Sequence, residues 1–223
     1  MIAEGSLRRD AEQRGEEVWD PTGSLGRALW IGGAQWAGKS TVARLLAIRH
    51  GLTAYHYDFH DARAHNDRLI ARGGPARDPE RLWVRSTPEE MAAAAREVFA
   101  LRFEWALDDL RALVSGRPII AEGWGLRPEF VAPLLDSPRR MVVMVPTEEF
   151  RQHQLSTLPR AAKFTPNVSD PVRAQRNRIA RDRLLAEDAV RRARRLGIRV
   201  LEIDGSADAE AVADTVAGHF GLA

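Results

Sequence analysis

The stretch Gly33-Ala34-Gln35-Trp36-Ala37-Gly38-Lys39-Ser40, followed by Thr41, decides how the rest of the chain is interpreted. Its spacing, G-x4-G-K-S, is typical of a loop whose backbone N–H groups surround phosphate groups. The two glycines allow a backbone geometry that a Cβ would block, Lys39 reaches the outer phosphates, and the Ser40 hydroxyl is placed to bind Mg²⁺. All nine residues are therefore predicted to bind a nucleotide. The alternative is a glycine-rich turn without a ligand.

The residues on each side of this stretch favour the nucleotide site. A short apolar run over residues 28–31 reads as a strand, and residues 42–48 have the spacing of an amphipathic helix that ends near Gly51. Strand, loop and helix thus follow one another as a phosphate loop requires. Lys39 and Lys163 are the only lysines in the chain. One of the two stands where a compact ammonium group is needed.

Composition limits the possible classes of protein. The 223 residues are 44% hydrophobic and 29% charged, which suits one α/β domain over residues 28–223 after an N-terminal appendage of residues 1–27. The net charge of +2 gives no general affinity for nucleic acid. There is no cysteine, which excludes disulfides and thiolate chemistry. Neither a signal peptide nor a membrane-spanning run is recognisable, so a cytoplasmic protein without membrane contact is expected.

Further strands alternate with helices along the chain. This pattern predicts a five-stranded parallel sheet with helices on both faces and ligands at the carboxyl ends of the strands. The strands after the first are expected at residues 53–57, 117–121, 140–145 and 199–203. Helices are expected at residues 60–72, 88–114, 172–196 and 207–220.

Taken together, these features resemble the group of small P-loop kinases related to nucleoside monophosphate kinases. Adenylate, shikimate and gluconate kinases and chloramphenicol phosphotransferase belong to it. The resemblance covers residues 28–221 in layout, and only the phosphate loop matches as a motif. It implies ATP and Mg²⁺ as cofactors and transfer of the γ-phosphoryl group to a hydroxyl of a small polar molecule. It also implies an arginine-rich lid over about residues 151–183.

The resemblance assigns Asp58 to the acidic residue that faces the acceptor hydroxyl at the end of the second strand. We expect it to act as the general base. The alternative is that Asp58 caps the next helix, and Asp61 is a second contender for both roles. His60 and Arg63, just beyond, are predicted to contact the substrate.

The end of the third strand carries another set of candidates. Glu122 is expected to support Mg²⁺ or to contact the substrate, with a structural hydrogen bond as the alternative. Trp124 and Arg127 are expected to wall the acceptor pocket, although aromatic residues there are equally often core. His56, His60 and His65 could form a metal site together with Asp58 and Asp61, but nothing fixes a tetrahedral ligand set.

Arginines follow the fourth strand. Two or three arginines of this segment are expected to neutralise charge on the β- and γ-phosphates, and Arg176 and Arg181 are favoured. The candidates are Arg151, Arg160, Arg173, Arg176, Arg178, Arg181 and Arg183. Arg151 is also predicted to stack on adenine. The resemblance places Gly205 and Ser206, after the fifth strand, beside the adenine as well. The run of arginines over residues 191–195 is expected to be a solvated face. The Trp36 side chain is expected to point away from the phosphates and to cover the base or a neighbouring helix.

Other functions stay open at this point. A nucleoside monophosphate kinase would bind a phosphorylated acceptor with arginines beside the second strand, for which the candidates are Arg63, Arg68, Arg72, Arg77 and Arg81. A nucleotide-binding switch or a ligand-sequestering resistance protein would need the phosphate loop and no base. A nucleic-acid end kinase would use residues 191–195, and the net charge argues against it. The sequence makes no prediction of oligomeric state.

Overall fold

A parallel five-stranded sheet forms the centre of the protein. The computed structural model describes residues 19–74, 78–159 and 167–222. The strands are β1 (Leu29–Gly33), β2 (Thr53–His56), β3 (Ile119–Glu122), β4 (Met141–Pro146) and β5 (Arg199–Ile203). Their order is β2-β3-β1-β4-β5, and every neighbouring pair is parallel. The predicted fold class is therefore confirmed, with β1 in the middle of the sheet.

Helices pack on both faces of this sheet. They are α1 (Lys39–His50), α2 (Tyr57–His60), α3 (Asn66–Ala71), α4 (Pro88–Ala112), α5 (Pro128–Val131), α6 (Glu148–Thr157), α7 (Pro171–Arg195) and α8 (Ala209–Phe220). One core layer joins Ile31 of β1 to Leu46 of α1 and Val216 of α8. The other joins Trp30 of β1 to α4, α5 and α7. Alternate residues of β1 thus face opposite layers, as a buried central strand requires.

Local sequence explains the ends of two of these helices. Thr87 caps α4, because its hydroxyl accepts from the N–H of Glu90 while its own N–H donates to the Glu90 carboxylate. Gly51 ends α1 in the left-handed conformation with φ of 63°. The first helix therefore ends where it was predicted. The long helix predicted over residues 88–114 begins at Pro88 as expected and ends two residues early, at Ala112.

The region after β2 differs from the prediction. Tyr57, expected as the last strand residue, is the first residue of α2 and is fully buried. Its ring lies so close to Gly125 that a Cβ there would be 2.2 Å from it, and this packing fixes where the strand ends. A π-helical turn over Asp61–His65 joins α2 to α3, and a second π-helical turn occupies Arg81–Arg85, where a loop was expected. Hydrophobic periodicity does not distinguish such turns from α-helix or loop.

The N-terminal segment joins the core before β1 begins. Leu25 is 2% exposed within the core layer beneath α4, and the Ser24 hydroxyl donates to the carbonyl of Leu110 at 3.4 Å. Residues 1–18 of the predicted appendage lie outside the described residues. The division at residue 27 stays a prediction.

Of the helices in the described ranges, none is both long and apolar enough to cross a membrane.

Candidate active site

The phosphate loop connects β1 to α1 at the carboxyl edge of the sheet. Gly33 has φ of +111°, and a Cβ on it would lie 2.2 Å from the carbonyl oxygen of Met144. Only glycine fits at such a position. The next N–H, from Ala34, donates to the same carbonyl at 2.9 Å. The start of the loop is therefore fixed against β4.

The other end of the loop presents an ammonium group and a hydroxyl. Lys39 is 6% exposed, and its Nζ donates to the carbonyl of Ala34 at 2.6 Å, so the side chain folds back over the loop. Ser40 is exposed in the first turn of α1, and that turn contains no acidic residue. The positive end of the helix dipole is thus left for an anion. The structure brings the predicted residues Gly33 to Thr41 into one such loop.

Asp58 lies in the first turn of α2, beside this loop. Its Oδ1 accepts a hydrogen bond from the backbone N–H of Trp124 at 3.0 Å. Burial raises the pKa of Asp58 to about 6; the charge of Lys39 opposes this rise and that of Glu122 adds to it. The cap position of α2 is His56, so Asp58 does not have the capping role considered as the alternative. A carboxylate, an ammonium group and a second carboxylate therefore share one small region.

Glu122 is the last residue of β3 and is 1% exposed. Its Oε1 lies 2.8 Å from Nδ1 of His56, whereas its Oε2 is buried with no hydrogen-bond partner among the described residues. A buried carboxylate oxygen without a partner is unfavourable unless water or a cation binds it. Glu122 pairs in register with Ile31 of β1, two residues before Gly33. Its free oxygen is therefore suited to Mg²⁺ or to a water molecule bound to it.

Trp124 links this region to α7. The Cζ atom of Arg181 lies 5.3 Å from the ring centroid of Trp124 and 5.0 Å from that of Trp83. Arg181 is 8% exposed, and its Nε donates to Asp182 at 2.9 Å. Its guanidinium group is thus held between two indole rings. Trp124 and Arg181, which were predicted as separate site residues, are thus in contact, and Trp124 is itself hydrogen-bonded to Asp58.

Of the candidate arginines on α7, Arg178 faces the phosphate loop, and the favoured Arg176 does not. Arg176 is exposed on α7, and the structure does not bring it to the loop. Arg178 instead donates from Nη2 to Oε1 of Gln35 at 3.4 Å, and its Cζ lies 6.0 Å from the Trp36 ring centroid. In the structure Ala174 and Arg181 belong to the buried stripe of α7, and Arg178 falls on the same stripe at helical spacing.

Arg127 anchors α7 instead of lining a pocket. It is 2% exposed, its Nη1 donates to the carbonyl of Leu185 at 3.0 Å, and its Nη2 pairs with Asp188. Its Nε also donates to Glu129 of α5 at 3.3 Å. The expectation that Arg127 walls the acceptor pocket is corrected by this arrangement, because the buried guanidinium group is bound by α5 and α7. The sequence could not indicate the α7 partners, since Leu185 and Asp188 lie about 60 residues downstream.

The structure also directs His60 away from the Asp58 region. Its Nδ1 lies 3.2 Å from Asp109 of α4, which also pairs with His65 and Arg68. Arg63 is exposed on the π-helical turn. In the described ranges, no group of three or more histidine or acidic side chains could hold a metal ion, so the histidine metal site is not formed.

The predicted adenine contacts lie beyond β4 and β5. Arg151 of α6 pairs with Glu148 at 2.7 Å and borders an open groove of about 480 Å³ against α7. Gly205 packs against the Phe150 ring, and Ser206 bonds to Asp204 through its hydroxyl at 2.6 Å. These residues share the carboxyl edge of the sheet with the phosphate loop. Contact with adenine stays a prediction, and residues 160–166 of the expected lid lie outside the described residues.

A glycine-lysine loop after the central strand of a parallel sheet, followed by a helix, is the arrangement of a P-loop protein. The chain has this fold.

Solved structures of small kinases have a similar layout. Shikimate kinase from Aquifex aeolicus is 16% identical with a TM-score of 0.45, and the match covers 87% of this chain and 96% of that one. A gluconokinase from Sinorhizobium meliloti is 15% identical with a TM-score of 0.42, over 89% and 93%. Shikimate kinase from Acinetobacter baumannii is 16% identical with a TM-score of 0.45, over 88% and 94%. All three are kinases of the group that the sequence resembles, and at this distance they carry no conclusion about activity.

No model of a protein family matches this chain, and no curated protein matches it.

Proposed function

We propose that this protein is an ATP- and Mg²⁺-dependent phosphotransferase that transfers the γ-phosphoryl group to a hydroxyl of a small polar molecule. The observation that carries the proposal is the buried carboxylate of Asp58 beside Lys39 and the phosphate loop. Phosphoryl transfer needs a group that orients the acceptor hydroxyl next to the phosphate site. Asp58 is in that place.

The loop residues would bind the phosphates of the nucleotide. Backbone N–H groups over Gly33 to Thr41, the Lys39 ammonium group and the N-terminus of α1 would surround the β- and γ-phosphates. The Ser40 hydroxyl and the unpartnered Oε2 of Glu122 would hold Mg²⁺, directly or through water. When bound, Mg²⁺ neutralises charge on the transferred group.

Asp58 would bind the acceptor hydroxyl and accept its proton late in the transfer. A pKa of about 6 leaves the carboxylate ionised at neutral pH while making it a stronger base than an ordinary aspartate. Arg178 and Arg181 reach this region from α7 and would stabilise the negative charge on the phosphates.

The monophosphate-kinase alternative has less support, because Arg102, the buried arginine of α4 near the Asp58 region, already pairs with Asp61. Among the arginines considered for a phosphorylated acceptor, Arg68 pairs with Asp109 and Arg72 lies over Trp105. Arg63 and Arg81 are exposed, and Arg77 is outside the described residues. Binding a phosphate with Arg102 or Arg68 would require breaking an existing ion pair.

A protein that sequesters its ligand without turnover needs no general base, so it would have no use for the buried carboxylate of Asp58. Burying its carboxylate opposes folding, and the unfavourable burial is the main cause of the raised pKa. Such arrangements are typical of residues that take part in proton transfer. The non-catalytic function is therefore the less favoured one.

The test is a screen for ADP release in the presence of Mg-ATP and candidate acceptors. The acceptors are nucleosides, nucleoside monophosphates, sugars, sugar acids, aminoglycoside and amphenicol antibiotics, and 5′-hydroxyl oligonucleotides. Acceptor-dependent ADP release with the wild type, lost in Asp58→Asn, is the expected result. Ligand binding without any ADP release would instead support the sequestering protein, and turnover only with monophosphates or oligonucleotides would support the other kinases.

A further inference from the structure

Trp36, inside the phosphate loop, has a backbone conformation that a residue with a Cβ rarely adopts. Its φ is +69°, and it is the one non-glycine residue with positive φ in residues 19–74, 78–159 and 167–222. Two positions later the loop again has a positive φ, of +79°, and there the residue is glycine, Gly38. A bulky residue held in the left-handed region indicates that its side chain makes contacts that outweigh the strain.

One of these contacts joins the Trp36 ring to Arg178 of α7. The Trp36 side chain is 8% exposed, and its ring centroid lies 6.0 Å from Cζ of Arg178. The neighbouring loop residue, Gln35, accepts a hydrogen bond from Nη2 of the same arginine at 3.4 Å. From the other side, Asp182 lies 3.9 Å from the Arg178 Nε. The loop and α7 thus hold one guanidinium group between them.

The position of Arg178 follows from this arrangement. An arginine side chain has several rotatable bonds, and on its own it would sample many positions. A flat indole ring offers its face to a guanidinium group and restricts those positions. Because Trp36 and Gln35 both belong to the phosphate loop, an arginine that lies over the Trp36 ring and donates to Gln35 is held against that loop.

We propose that Trp36 is a positioning residue that holds Arg178 over the phosphate loop, where Arg178 contacts the β- and γ-phosphates of the nucleotide. The inference rests on the proposed function in one respect, which is that the loop binds a nucleoside triphosphate. It does not depend on the identity of the acceptor or on turnover.

The experiment is isothermal titration calorimetry with two probes, Mg-AMP-PNP and AMP. The first carries the outer phosphates and the second does not. Trp36→Gly removes the ring and relieves the backbone strain, so it should fold. Trp36→Phe keeps an aromatic face. Arg178→Ala removes the guanidinium, and Arg195→Ala, an exposed position on the same helix, is the control.

We expect Trp36→Gly and Arg178→Ala each to weaken Mg-AMP-PNP binding about tenfold, the size expected for one charge-assisted hydrogen bond. AMP binding should be unchanged in both, and Trp36→Phe and Arg195→Ala should bind both probes like the wild type. The double variant Trp36→Gly/Arg178→Ala should bind no more weakly than Arg178→Ala alone, because both changes remove the same contact.

Two results overturn the inference. One is wild-type affinity of Trp36→Gly for Mg-AMP-PNP, and the other is an equal loss of affinity for both probes. A melting temperature lowered in Trp36→Gly without a change in affinity would show that the ring only packs the core. If the wild type itself binds no Mg-AMP-PNP, the proposed function fails and this inference fails with it. If it binds but phosphorylates no acceptor, only the kinase proposal fails.

Discussion

The backbone N–H of Trp124 donates a 3.0 Å hydrogen bond to Oδ1 of Asp58, and this bond joins the residue after Gly123 to the first turn of α2. Gly123 makes the approach possible, because a Cβ on it would lie 2.5 Å from Cβ of Tyr57 and 2.9 Å from the Asp58 carboxylate. The carboxylate is therefore held through Oδ1 by the backbone at Gly123 and Trp124.

Replacing Asp58 by Asn should lower the turnover rate with the acceptor found in the screen by about 10² to 10⁴-fold, the usual contribution of a general base. The amide can still accept the hydrogen bond from Trp124, so the fold and nucleotide affinity should be kept. Steady-state kinetics with a coupled ADP assay measure the effect. Asp67→Asn, at an exposed position of α3, is the control and should retain full activity. Turnover of Asp58→Asn near the wild-type rate would remove Asp58 from the mechanism.

The raised pKa of Asp58 predicts two pH dependences of opposite sign. Turnover should rise with pH through about 6, because the ionised form accepts the proton. Stability should fall over the same range: the pKa is about 6 in the folded state against 3.8 ordinarily, so between these values the folded protein binds more protons than the unfolded chain. The free energy of unfolding of Asp58→Asn, measured by urea denaturation at pH 7, should therefore be about 1 to 3 kcal/mol higher than that of the wild type. This difference in stability should vanish near pH 4. Equal stability at pH 7 would contradict the raised pKa.

Lys39→Ala should abolish the stabilisation that Mg-ATP gives the wild type. At a ligand concentration 100 times Kd, that stabilisation is about 2.7 kcal/mol. The measurement is the melting temperature with and without Mg-ATP. Arg44→Ala, an exposed position on the same helix, should keep the wild-type shift. If Lys39→Ala is shifted by Mg-ATP as much as the wild type is, the loop does not bind the phosphates.

Breaking the buried pair of Arg127 and Asp188 should destabilise the protein without changing nucleotide affinity. Arg127→Met removes the buried partner of Asp188, which keeps its contacts with Arg191 and Arg192, and should lower the free energy of unfolding by about 1.5 to 3 kcal/mol. The exposed pair of Arg183 and Glu187 is the matched control, where Arg183→Ala should cost less than about 1 kcal/mol. Urea unfolding compares the two. A normal stability for Arg127→Met combined with lost acceptor binding would restore Arg127 to the acceptor pocket.

The sequence was sufficient to predict the sheet and the phosphate loop because both depend on short-range patterns. The run RVLEI begins and ends as predicted, and the loop needs only the glycines and lysine of one octapeptide. Helix α7 is also where its periodicity placed it, within one residue at each end. In each case a few neighbouring residues carry the whole signal.

Side-chain partners in the site could not be predicted in the same way, because they lie far apart in the chain. Arg178 meets Gln35 across 143 residues, and Arg127 meets Asp188 across 61. Which of the many arginines on α7 faces the loop depends on how that helix is rotated against the sheet. The apolar residues of this helix do not fix that rotation in the sequence, since Val172 is exposed whereas Ala174 and Arg181 are buried.

The Arg127 anchor has a consequence for how α7 is placed. From Asp188 onwards the helix is fixed by that ion pair and by Ala189 and Ala193 in the core layer, whereas its first half contacts the segment around Trp83 through the side chain of Asn177. The second half of α7 is therefore held by the core, whereas the first half carries Arg178 and Arg181, which contact Gln35 and Trp124. The placement of that first half sets where both arginines lie relative to Asp58 and the phosphate loop.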